Sequence, residues 1–262
     1  MSGPLTAWPP GAHAAARCFA RPFACQTEDL DHALDASADG VAAAITRLLV
    51  GCLRDAEGRA PEPAAAWQWS VPRRRQGLIA IAHATLGDHV QALATCTAPD
   101  CRNPIELELG LASFLADAPE RVRLAVADTR LECRLPSGTD LAEWSREGFD
   151  ACWLAARLVV VDDGEPMEWT PARLDALAAA LEAADPLAAL TVAVTCPSCD
   201  AALDVTLDLE PLLLGALRAV ARETLEDVHR MARAYHWSEA EIVSMPRDRR
   251  RAYLSRLQRE GS

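Results

Sequence analysis

Two stretches of the chain alternate apolar and polar residues in the same register behind paired cysteines. Ile105, Leu107, Leu109 and Leu111 recur at every second position, and so do Leu203, Val205, Leu207 and Leu209. Period-two alternation predicts strands with one buried face. Counted from Cys101 and from Cys199, the apolar residues fall at identical offsets. The unit "cysteine pair, then strand" therefore occurs twice. Residues 89–95 and 187–195 predict the strands that lead into the two pairs. Residues 121–135 alternate again, through Val122, Leu124 and Val126, then Leu131, Cys133 and Leu135, which predicts a hairpin turning near Asp128 and Thr129.

Elsewhere the period lengthens to that of a helix. Residues 39–53 predict one, with Asp39 as N-cap and Ala43, Ile45, Leu48, Leu49 and Cys52 apolar. Residues 73–86 predict a second, carrying Leu78, Ile79, Ile81, Ala82 and Leu86 and ended by Gly87 and Asp88. Asp140, with Glu143 as capping-box partner, opens a helix that breaks near Gly148 and resumes over 151–159. Asp162, Asp163 and Gly164 read as a turn, and Thr170 with Pro171 opens a helix that ends before Asp185. At the C-terminus, residues 212–235 form a long amphipathic pattern broken at His236 and Trp237. Ser238 and Glu241 make a capping box for a short helix over 239–245, and Pro246 starts a last one over 247–259. Residues 1–38 show no sustained period and are expected to be poorly ordered. Residues 55–72 read as a linker from which Trp67 and Trp69 dock on the core.

The paired cysteines bring in chemistry. Cys96 and Cys101 have four residues between them, Cys196 and Cys199 two. Such spacings let a tight turn aim both sulfurs at one point, and four thiolates suit tetrahedral zinc. The residues after each second cysteine are Arg102 and Asp200, where many such knuckles carry glycine. Cys96, Cys101, Cys196 and Cys199 are thus the candidate ligands of a closed, structural Zn2+ site with no position left for a reacting water. A thioredoxin-type redox pair at Cys196 and Cys199 would need a helix after it, where the pattern predicts a strand. The fold expected is α+β: a zinc-ribbon-like antiparallel β core over residues 73–211 with a helical insertion at about 136–186. An N-terminal extension over 1–72 and a C-terminal helical module over 212–262 flank it.

Composition narrows the function classes. The 262-residue chain has no lysine, so all 26 of its basic residues are arginine. Its net charge is −12, yet residues 212–262 hold ten arginines against seven acids, so the first 211 residues carry −15. An acidic body argues against general nucleic-acid binding, while the basic end suits an acidic partner. No apolar run is long enough to cross a membrane, and nine cysteines without a signal-like start suggest a reducing cytoplasm. Cys18, Cys25, Cys52, Cys133 and Cys152 read as core fillers. Arg73 to Arg75 and Arg249 to Arg251 read as exposed faces, and His229 and His236 as packing or capping residues, while His83 and His89 straddle a turn close in sequence to Cys96, where either could donate to a metal ligand. No phosphate-binding glycine loop and no set of nucleophile, base and orienter is present, and no small-molecule substrate is expected.

The C-terminal run from Glu226 to Leu254 resembles the end of baseplate-associated proteins of contractile phage tails and phage-tail-like injection particles. The residues that carry the likeness are Val228-His229, then Tyr235, Trp237, Ser238, Glu241 and Ile242, then a basic helix ending in Tyr253-Leu254. Leu78 to Asp88, Arg134 to Leu141, Asp185-Pro186 and Thr195 to Cys199 share the family's look, so that the resemblance covers about residues 73–254. It implies a non-enzymatic structural or assembly role among other baseplate or tail proteins, in the cytoplasm or within an assembled particle. On this reading Arg249, Arg250 and Arg251 steer an acidic partner, Tyr253 and Leu254 supply apolar contacts, and Trp237 fixes the helix turn. The alternative is a nucleic-acid-associated zinc-ribbon adaptor that uses the same arginine-rich end.

Overall fold

Helix period and burial meet first in the N-terminal third. The protein, seen in a computed structural model, is described for residues 6–8, 18–31, 34, 40–126, 129–148, 150–162 and 168–260. Strands β1 (Thr6–Trp8) and β2 (Cys18–Ala20) precede helices α1 (Thr27–Asp31) and α2 (Gly40–Cys52) and strand β3 (Leu53–Arg54). The three strands form one antiparallel sheet in the order β1-β2-β3. Helix α2 is apolar on nearly every side, as a buried helix must be. Ala43, Ala44, Ile45, Leu48, Leu49 and Cys52 all lie inside. The predicted cap Asp39 falls outside the described residues. Helices α3 (Pro63–Gln68) and α4 (Val71–Leu86) follow.

Helix α4 is the centre of the molecule. Ser70 caps it through Arg73 N–H, and Gly87, at φ 86°, ends it. Leu78 through Ala82 are all fully buried, because α4 meets α2 on one side and α8 on another. Gly77 marks the closest approach: a Cβ there would stand 2.5 Å from Leu49 Cδ2.

Two hairpins project from this core. Strands β4 (His89–Thr95) and β5 (Pro104–Gly110) pair antiparallel from His89↔Gly110 to Thr95↔Pro104. A 3-10 turn, Leu111–Phe114, closes the first hairpin. The chain then builds a second unit from β6 (Arg121–Val126), β7 (Thr129–Arg134), α5 (Gly138–Glu147), α6 (Ala151–Leu158), β8 (Val159–Asp162) and α7 (Pro171–Ala184). Its sheet, β6-β7-β8, packs Leu124, Leu131 and Cys133 against Ala155, Leu158 and Leu177. The second hairpin, β9 (Leu190–Thr195) with β10 (Ala202–Leu207), leads into α8 (Leu209–Tyr235), α9 (Glu239–Val243) and α10 (Arg247–Glu260). Mixed helices and small antiparallel sheets make this an α+β fold.

Several expectations need correcting. Residues within the first 38 are not uniformly loose: Trp8, Ala20 and Phe23 are buried in the main core. The stretch read as a linker contains α3, started by Pro63, and Trp69 sits 5.7 Å from Trp8, with the Arg73 guanidinium 4.5 Å above its ring. The boundaries at 72 and 211 do not divide the core, which draws Trp8 and Leu49, Leu78 and Leu111, and Leu213 and Leu217 into one cluster. Each such leucine contributes about 1.5–3 kcal/mol when fully buried, which is why the first half of α8 cannot stand apart. Only its second half has a separate core, with Met231, Ile242 and Leu254. The cap of α5 is Ser137, and Asp140 is its capping-box partner at the third helical position. Val159 belongs to β8, not to α6. The Asp163-Gly164 turn and Asp128 lie outside the described residues.

Candidate metal centre

Each cysteine pair sits at the tip of a hairpin, and the bases of both hairpins are tied to α4. Asp88, just after α4, accepts Ala112 N–H on its side chain and Leu111 N–H on its carbonyl, each at 2.6 Å, which closes the first hairpin. Arg75 does the same for the second. Its guanidinium pairs with Asp185, before β9, and with Glu210, after β10, at 3.2 Å. A single buried arginine on α4 therefore holds both feet of the second hairpin. Arg73 to Arg75 are not the exposed face expected of an arginine run, since Arg74 and Arg75 are 2% and 7% exposed. The signal was available in the unbroken apolar run Leu78 to Ala82, which leaves that helix no wet side one turn earlier.

At the tips the two knuckles share the backbone bond that closes each of them. Cys96 N–H donates to Asn103 carbonyl and Cys196 N–H to Ala201 carbonyl, both at 2.9 Å. Asn103 and Ala201 each lie two residues past the second cysteine of their pair. Arg102 and Asp200, the residues between, take the left-handed conformation at φ 56° and 57°. That is the position where glycine would be expected, and a side chain there costs about 1–2 kcal/mol.

The structure brings all four predicted ligands together. Cys96 Sγ lies 3.7 Å from Cys199 Sγ, and Cys101 Sγ 3.8 Å from Cys196 Sγ. The four sulfurs all fall within 4.8 Å of one another. None is in a disulfide, whose sulfurs would be about 2.05 Å apart. Four sulfurs at about 2.3 Å from a central zinc would be about 3.8 Å apart along the edges of the tetrahedron. The cluster is thus of a size that could hold a metal ion. Cys96 and Cys196 are buried, Cys101 is half-buried and Cys199 exposed.

Electrostatics distinguishes the four thiols. Backbone N–H groups of Ser198 and then Cys199 point at Cys196 and, with bonds from Cys199 and Cys96, lower its thiol to about 7. The Ala201 N–H favours the Cys199 thiolate, but the partial loss of hydration of its sulfur and the other three thiols prevail and push it up to about 12. Cys96 receives an N–H from Ala98, yet it too is raised, by burial and by Cys196 and Cys101. One thiolate in the cluster discourages the next, as with any set of acids sharing one site. Full ionisation calls for a cation among them, and the inward N–H groups stabilise the charged form of three of the four.

The remaining candidates sit elsewhere. His83 Nδ1 is 3.0 Å from Thr6 Oγ1, and His89 Nδ1 is 3.1 Å from Glu108 at the foot of the first hairpin. His236, at φ 56°, ends α8. In α10 the expected partner surface is split. Leu254 is 7% exposed and packs with Met231 and Ile242. Arg250 is 5% exposed and donates to Val243 carbonyl at 3.3 Å. Tyr253 packs edge-on against Trp237 at 4.9 Å. Only Arg249 and Arg251 of the five face solvent. The amphipathic stripe of α10 closes onto α8 and α9, so Arg250 and Leu254 serve the internal contact. Of the cysteines read as core fillers, Cys52 and Cys133 are buried, but Cys152 is exposed near the start of α6.

No family model matches the chain, no curated protein is found similar to it, and no solved structure matches it. No helix among the described residues is long and apolar enough to cross a membrane.

Proposed function

We propose that the four cysteines hold a structural Zn2+ ion and that the chain is a non-enzymatic structural or assembly factor of a contractile tail or injection-particle baseplate. The observation that carries the metal reading is the closed tetrad itself, with two matched knuckles from distant parts of the chain. Four protein thiolates saturate zinc, so the ion would cross-link the hairpins and activate no water. The baseplate reading rests on the sequence resemblance of residues 73–254. It is supported by a C-terminal module in which Tyr235, Trp237 and Tyr253, the aromatic residues that carry the resemblance, pack together. The exposed arginines Arg249 and Arg251 are the candidates for contact with an acidic tail protein.

Two measurements test this. Freshly purified, reduced protein should contain about one zinc per chain by elemental analysis, and its absence would overturn the metal assignment. Inactivating the gene in a host that makes contractile particles should stop their assembly, as seen by electron microscopy. Normal particles without the protein would sink the baseplate reading. Steeply salt-dependent binding to DNA or RNA would instead favour the adaptor alternative.

A further inference from the structure

Helix α10 carries more positive charge than its own surroundings neutralise, with six arginines against two acids. Arg250 is buried and donates to Val243 carbonyl, while Arg247 and Arg251 share Glu223 of α8. The other three, Arg249, Arg256 and Arg259, are exposed. Among the described residues no carboxylate lies within ion-pair distance of them. With Ala252 they fall at the spacing of one helix face. The guanidinium groups of Arg249 and Arg256 each lie 5.9 Å from the centre of the Tyr253 ring, one from the turn before it and one from the turn after. Along α10 this face therefore runs basic, aromatic, basic.

The complementary order stands on the first hairpin. Leu93 is 74% exposed, more than any other large apolar side chain among the described residues. It takes an outward position of β4, where the pleat otherwise puts the polar residues His89, Gln91 and Thr95. Directly across the hairpin, Glu106 stands opposite Leu93 and Glu108 opposite Gln91. Both carboxylates are exposed. Glu108 meets only the exposed His89, at 3.1 Å, and Glu106 has no cation within ion-pair distance among the described residues.

We propose that these two surfaces bind each other between copies of the chain, with Leu93 of one copy against Tyr253 of the next and Glu106 and Glu108 paired with Arg249 and Arg256. Two residues of strand span about 7 Å and the seven of helix between the arginines about 10 Å, a difference that the long arginine side chains take up. The charges select a second copy as the occupant. The first 211 residues carry −15, while residues 212–262 hold ten arginines against seven acids. Such a body repels a nucleic acid and attracts the basic end of another copy. Because the two patches differ, the contact is head-to-tail and builds closed rings or open chains. This inference rests on the reading of the arginine-rich end as a docking surface, whose partner it names, and requires neither the metal nor the particle.

Sedimentation velocity of the full chain, purified under reducing conditions, tests it. At about 100 µM in low salt, a concentration suited to a small polar interface, the mass should exceed that of one chain. It should return to one chain in 1 M salt, where the screening length falls to about 3 Å. Glu106→Arg with Glu108→Arg, and separately Arg249→Glu with Arg256→Glu, should each raise the concentration needed for association at least tenfold, with thermal unfolding unchanged. Leu93→Ser should do the same. Mixed in equal amounts, the two charge-swapped variants should associate again, since each then meets a face of opposite sign. A wild-type chain that stays single, swapped variants that associate as it does, or a mixture that stays dissociated would overturn the self-contact. So would an oligonucleotide that displaces the second copy from the wild-type chain. The assembly role would survive any of these results, because it is decided separately by whether particles form without the gene.

Discussion

Chelating the metal should loosen the hairpin tips and leave the rest of the chain folded. Between the two knuckles the buried apolar residues are Cys96, Ile105 and Cys196, two of them members of the cysteine cluster itself. Ile105 supplies about 1.5–3 kcal/mol, whereas each ordered knuckle residue costs about 1–2 kcal/mol in backbone entropy. Apolar burial alone cannot hold the tips closed. The hairpin feet are different: Val90, Ala92 and Leu109 belong to the main core, and Arg75 clamps the second hairpin. A site filled at a thousandfold excess over its dissociation constant stabilises the closed form by about 4 kcal/mol. Removing the ion under reducing conditions should therefore raise opening of the knuckles about a thousandfold. Hydrogen exchange read by mass spectrometry should show this at Cys96 to Asn103 and Cys196 to Ala201, with little change in α4. Exchange that is indifferent to chelator, or that rises equally in α4, would refute the reasoning.

Three further outcomes follow from other parts of the fold. Asp140 accepts from Ser137 N–H and Oγ and pairs with Arg134 and Arg157. Burial alone would raise its carboxyl, but Arg134 and Ser137 outweigh it and hold it well below the usual carboxylate range. Its stabilising effect is thus complete above about pH 4, near the unfolded value, and is lost as pH falls toward the lower folded one. Asp140→Asn should flatten that acid limb in pH-dependent denaturant titrations. At neutral pH it should cost near the low end of about 3–5 kcal/mol, because Arg134 keeps a third of its surface in water. Gly77→Ala gains about 1 kcal/mol of helix propensity, yet it crowds Leu49 in a packed core and should lose about 1–3 kcal/mol, visible as a lower urea midpoint. Leu254→Ala should cost about 2–5 kcal/mol, confined to the α8–α10 cluster, with bound metal unaltered in elemental analysis.

The strands flanking the knuckles, the meeting of the four cysteines and the capping box at Ser238 and Glu241 could be read from spacing and period, because each is a local pattern with one geometric solution. What escaped was decided by contacts distant in sequence. The valines that open β8 form an apolar run that suits helix or strand equally, and pairing with β7 chose the strand. Ser137 and Asp140 both suit an N-cap; the ion pair from Arg134 drew Asp140 into the helix and left the cap to Ser137. Arginine normally signals a wet face, so Arg74, Arg75 and Arg250 were misplaced: each is buried against acceptors supplied by other elements. Trp8 gave no periodic signal in so short a strand, and only the approach of Trp69 and α4 accounts for its burial.

The separation of the two knuckles sets a timetable for synthesis. Cys101 and Cys196 are 95 positions apart, and a ribosome adding about 5–20 residues per second leaves the first pair waiting roughly 5–20 s for the second. During that interval the nascent chain displays two thiols of an incomplete site. The unit built from β6, β7, α5, α6, β8 and α7 emerges in the same interval and has its own apolar cluster. Folding early, it would draw its two ends together and shorten the flexible span that the late-arriving Cys196 and Cys199 must cross. On this view the insertion is the part of the chain that delivers the second half of the site to the first.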